Sequence, residues 1–120
     1  MTNVLSRAAI LDAVDTLPIE AVHVPEWGGQ VYVKGLTATE RDQFERTVLQ
    51  FKNGAKGAKN LRSVLVAMAA CDKDGVRIFT DEDAITLGQK SAAALDRLYE
   101  VATRLAGLSG EDAKDLEKNS

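Results

Sequence analysis

At 120 residues the chain has the length of one ordinary domain and is too short for two substantial ones. With 45% hydrophobic and 28% charged residues it has a globular composition, and a chain of this size buries somewhat over ~60% of its unfolded surface, which makes a real but thin core. The net charge of −3 argues against a dedicated nucleic-acid binder, and no stretch reaches the ~18 to 20 apolar residues that cross a bilayer.

Residues 4 to 15 carry Ile10, Leu11 and Val14, continued by Leu17, at the spacing of a short amphipathic helix that Pro18 should end. Asp12 and Asp15 fall where a secretion signal would stay apolar, so the protein is expected to remain where it is made. Val22 and Val24, then Val31 and Val33, alternate with other residues around a loop containing Pro25 and Gly28-Gly29. This predicts a β-hairpin over about 19–35, with Val24 opposite Val31, Val22 opposite Val33 and His23 opposite Tyr32. A lone hairpin is marginal in water, so it needs a helix beneath it or a further strand beside it.

A helix is predicted over 39–51, with Phe44, Val48 and Phe51 as its apolar stripe and Thr37 with Glu40 as a capping box, Thr39 with Asp42 being a competing frame. Residues 52–60 hold two glycines and three lysines and predict a basic loop. The apolar run Leu61 to Cys71 suits a helix capped by Asn60, because alanine and methionine favour helix, although its period also admits a buried strand. Asp72 to Gly75 is a turn, and residues 76–79 read as a short third strand able to join the hairpin. Thr80 is expected to cap a brief helix through Leu87, stopped by Gly88. The longest helix should start near Ser91, align Leu95, Leu98, Tyr99, Ala102 and Leu105, and end at Gly107. The fold class is therefore α+β, mostly helical: a single domain over 1–108 with the hairpin packed on three to four helices, and a charged tail over 109–120.

Reactive constellations are missing from this pattern. The single histidine, His23, sits mid-strand with no cysteine or carboxylate at ligand spacing, so it supports neither a metal site nor a nucleophile–base pair. Cys71 ends an apolar run and reads as a buried thiol. Asp72, Asp74 and Gly75 resemble a calcium loop only briefly, because Arg77 occupies the position that requires glycine and Asp83 the one that requires glutamate. No catalytic residue, cofactor or metal is expected, and the protein does not read as an enzyme.

Candidate residues for partner binding are of two kinds. Trp27, at the tip of the hairpin loop, reads either as packing under the hairpin or as a binding residue, since tryptophan is the type most enriched at interface hot spots, and Pro25, Glu26 and Tyr32 are grouped with it. Lys52, Lys56 and Lys59 form, with Arg62, a basic segment that reads either as a solvated loop or as a contact for an acidic protein partner. The hairpin's free edge offers a further docking mode by strand addition.

The stretch HVPEWGGQVYVKGLTATERDQFE and the later DKDGVRIFTDEDAITLGQKSAAALDRLYEVATRLAGLS, with the charged E-K-N ending, resemble the tail assembly chaperones of siphophages and related prophages over roughly residues 10 to 119. The resemblance implies a protein of the host bacterial cytoplasm that binds the long tape measure protein, keeps it soluble while tail tube protein polymerises around it, and is absent from the virion. It further implies that this chain corresponds to the shorter of two forms related by a ribosomal frameshift. Its partners would be the tape measure and tail tube proteins, with self-association open, and neither nucleic acid nor membrane. A structural minor tail or head–tail connector protein is the alternative. A small DNA-binding module is a third, resting only on the Lys52–Arg62 segment.

Overall fold

A computed structural model describes residues 3–52 and 60–108. Along the chain run α1 (Arg7–Asp12), β1 (Ile19–Val24), a 3-10 turn (Pro25–Trp27), β2 (Gly29–Lys34), α2 (Ala38–Lys52), α3 (Leu61–Ala69), β3 (Ala70–Cys71), α4 (Asp83–Leu87) and α5 (Ala92–Leu105). Of the predicted basic loop over 52–60, Lys52 instead ends α2 and Asn60 caps α3, while 53–59, like the predicted tail at 109–120, lie outside the described residues.

α3 is the centre of the molecule. Asn60 starts it with a reciprocal cap: its side chain accepts from the Ser63 N–H at 2.9 Å, and Ser63 Oγ accepts from the Asn60 N–H at 3.1 Å. Every residue of α3 except Arg62 is buried, which is why the run is apolar almost all round and not along one stripe. Both readings of residues 61–71 hold in part, because at Ala70 the backbone turns extended and the last two residues become β3.

The sheet is antiparallel in the order β1-β2-β3. Its hairpin stands where expected, but the register is tighter by two residues: Val22 faces Val31, Val24 faces Gly29, and His23 faces Gln30. The cause is the 3-10 turn, in which the Gly28 N–H donates to the Pro25 carbonyl at 3.1 Å. Gly28, at φ +74°, closes the loop and frees Gly29 to pair. A two-residue shift preserves side-chain parity, so the four valines still share one face and that face still meets the core.

Residues 76–79 do not supply the third strand; Ala70–Cys71 does, by pairing with Val33 and Tyr32. The Asp72 side chain accepts from the N–H groups of Asp74 and Val76, and the chain folds back to place Arg77 beside Cys71 in a single bridge. The pairing goes no further because the chain before Ala70 is already helical; the Arg77 side chain reaches to the Ala67 carbonyl near the end of α3 at 2.7 Å and to Asp81 at 2.8 Å. A cation there also complements the negative end of the helix dipole.

α2, α4 and α5 cover α3. α2 opens on the expected capping box, with Glu40 accepting from the Thr37 N–H at 2.9 Å and Thr37 Oγ1 accepting from the Glu40 N–H at 3.2 Å, and it buries Phe44 and Val48 completely. α5 starts on Ser91, which caps the Ala94 N–H, and buries Leu95, Leu98, Tyr99 and Ala102 against α3 and the hairpin. α4 begins later than expected: the Asp83 carboxylate accepts from the Thr80 N–H, and a turn intervenes before the helix.

α1 departs most from expectation. Ser6 caps it at the Ala9 N–H, but the helix ends at Asp12, well before Pro18, and none of its residues is buried. Ile10, Leu11 and Val14 stay exposed, and α1 is not packed against any other described element to a substantial extent.

Candidate partner-binding groove

Pro25 opens the 3-10 turn with its fixed φ, Glu26 follows, and Trp27 closes it. Glu26 is tied to α5 by Arg97, whose Nε donates to both carboxylate oxygens. The Glu26 backbone N–H and the Arg97 guanidinium together hold this carboxyl below the usual carboxylate range, against some desolvation. The turn is therefore fastened to the helix behind it, and Trp27 is set at the surface, 38% exposed.

Trp27 lies along a groove of about 460 Å³, with Ile78, Phe79 and Leu87 as its other apolar walls. Thr86 is exposed beside them, and Asp83 and Lys90 place opposite charges on the same lining. Ile78 is 52% exposed, so the groove presents apolar surface to water with a few polar groups around it. Such a site can hold the apolar stripe of a helix, with the charges fixing its direction.

Pro25, Glu26 and Trp27 thus come together, whereas Tyr32 does not join them. It stands on the sheet face opposite the valine stripe, paired with Ala21 and Cys71, and is 42% exposed. Lys52 ends α2, and Lys56 and Lys59 lie outside the described residues. The walls Ile78, Phe79 and Leu87 were not among the sequence candidates, since two apolar residues after a turn read as an inward strand.

His23 lies on the exposed face of β1, which among the described residues is an edge strand of the sheet. Cys71 is buried; burial pushes its thiol up, with Asp72 adding and Lys34 opposing, so the nucleophilic thiolate is disfavoured. Among the described residues no three His, Cys, Asp or Glu side chains are grouped to hold a metal ion, and no helix is long and apolar enough to cross a membrane.

A family model for the phage tail assembly chaperone matches residues 6–119, nearly the whole chain. The chain belongs to the phage tail assembly chaperone family. No curated protein and no solved structure matches it. In this tail assembly chaperone the surface around Trp27 leaves aromatic and aliphatic groups accessible beside charged ones.

Proposed function

We propose that this tail assembly chaperone acts in the host bacterial cytoplasm, binding the tape measure protein and keeping it soluble, helping to recruit tail tube subunits, and leaving before the virion is complete. The observation that carries this reading is the half-exposed Trp27, fastened through its turn to α5 beside an apolar groove. A long helical client with exposed apolar residues aggregates unless covered. A groove of this size covers one short stretch of such a helix, which suits repeated, releasable contacts along its length. Lys52, Lys56 and Lys59 are assigned to acidic segments of the partners, and Tyr32 and the β1 edge to a second contact.

Co-expression tests the proposal. The tape measure protein alone should be insoluble and become soluble with this chain. An unchanged insoluble fraction, even with any frameshifted longer form present, would overturn it. Mass spectrometry of purified particles separates the chaperone from a minor tail or connector protein, since stoichiometric copies in the virion would favour the structural role.

A further inference from the structure

The two apolar sides of the groove are held in different ways. Trp27 sits on the turn fastened to α5 through Glu26 and Arg97. Ile78 and Phe79 sit on the stretch that leads to α4, where residues 78–82 form neither helix nor strand. The Ile78 N–H donates to the Ala70 carbonyl at 3.2 Å, which fixes the backbone at one point. Further on, Thr80 is bonded to Asp83 of α4, and those bonds do not set how far the stretch stands from α3.

Arg77 sets that distance. The backbone is extended from Ala70, so the last carbonyls of α3 have no continuing helix to supply their donors. Arg77 Nε gives one to the carbonyl of the buried Ala67 at 2.7 Å, and Nη2 of the same guanidinium donates to Asp81 Oδ1 at 2.8 Å. A planar guanidinium presents both N–H groups in one fixed geometry, which a lysine ammonium does not. Ile78, Phe79 and Thr80 are thereby enclosed between two residues tied to each other and to α3. Trp27 and Ile78 both face water along the groove of about 460 Å³, and apolar surfaces placed so are driven together.

We infer that Arg77 is a positioning residue that props the Trp27 groove open. With both its bonds made, Ile78 and Phe79 are held off Trp27; with either one broken, they close on it and the groove is lost while the fold remains. The consequence for a client rests on the function proposed above, whereas the closure does not. The Arg77 and Asp81 side chains are 33% and 61% exposed, so their ion pair adds little to global stability and Asp81→Ala separates position from stability.

Fluorescence of Trp27, the chain's single tryptophan, tests this in the full chain. Asp81→Ala and Arg77→Met are compared with wild type at a temperature where circular dichroism shows each folded. In both variants the emission should shift to the blue and quenching by acrylamide should fall, as the ring becomes covered. Loosening of the structure moves both readings the other way, so the sign separates a prop from a merely structural role. Emission that is unchanged or shifted to the red in folded Asp81→Ala overturns the inference. Should Arg77→Met fail to fold, Asp81→Ala decides alone, because it keeps the bond to Ala67. Both variants should also solubilise less tape measure protein on co-expression. If that solubility is undiminished while the blue shift is found, the client proposal fails at this groove and the role of Arg77 stands.

Discussion

Arg97 Nε donates to both carboxylate oxygens of Glu26, at 3.1 and 3.2 Å, across 71 positions of sequence. This contact joins the turn carrying Trp27 to the outer face of α5, whose inner face is packed in the core. Exposed ion pairs contribute little to global stability, so the pair's effect is to position the turn. Arg97→Ala and Glu26→Gln should leave the melting temperature nearly unchanged, shift Trp27 emission to the red and weaken client retention. Unaltered fluorescence in both variants would disconnect the pair from the groove.

Trp27 itself is only partly free, and its covered portion contributes to stability. Trp27→Ala should destabilise by about 1–2 kcal/mol, less than the ~3–5 kcal/mol of a fully buried aromatic truncated to alanine. Trp27→Phe, which keeps a ring in the groove, should recover most of that loss. The larger effect is expected on client solubility, measured by co-expression at a temperature where both variants are folded. Loss of stability with undiminished client solubility would assign Trp27 to packing alone.

How much of this was legible in the sequence depends on how local each determinant is. Thr37 with Glu40 fixes the start of α2 within one helical turn, and Ser91 and Gly107 bracket α5 in the same way. The valine alternation established the hairpin and its core face, but the register required knowing that Pro25–Trp27 would coil as a 3-10 turn. The strand at Ala70–Cys71 was hidden because an unbroken apolar run has no period with which to mark a change of backbone. Amphipathicity placed a helix at α1 without saying what it would pack on. The groove was illegible for a third reason: Ile78, Phe79 and Leu87 meet Trp27 only through tertiary packing.

Gly75 closes the Asp72 turn at φ +84°, in the left-handed region that a side chain disfavours. A Cβ there would stand 3.3 Å from Ile19 Cδ1, a flexible tip able to yield, so backbone strain is the main penalty. Gly75→Ala should cost about 1–2 kcal/mol in denaturant unfolding. Gly75→Asn, better suited to that conformation, should lose less. Equal losses would mean that contact with Ile19, and not the backbone, sets the penalty.

Glu40 provides the pH dependence. Its carboxyl loses hydration, which alone would raise its pKa. The Thr37 N–H and the Lys34 ammonium, the latter at 3.4 Å, outweigh this and hold it below the ordinary value of 4.5. A depressed folded-state pKa contributes stability in full above the unfolded value, and that contribution disappears as pH falls through the folded one. Lys34 is 9% exposed, so neutralising Glu40 strands a nearly buried cation. Since Glu40 keeps about a third of its side chain in water, screening limits the pair to about 1 kcal/mol. Glu40→Gln keeps an acceptor for the Thr37 N–H and removes only the charge. Its melting temperature should lie below wild type at neutral pH, and the gap should close as pH falls through the depressed folded-state pKa. A gap that persists in acid would place the stabilisation in the uncharged hydrogen bond of the cap.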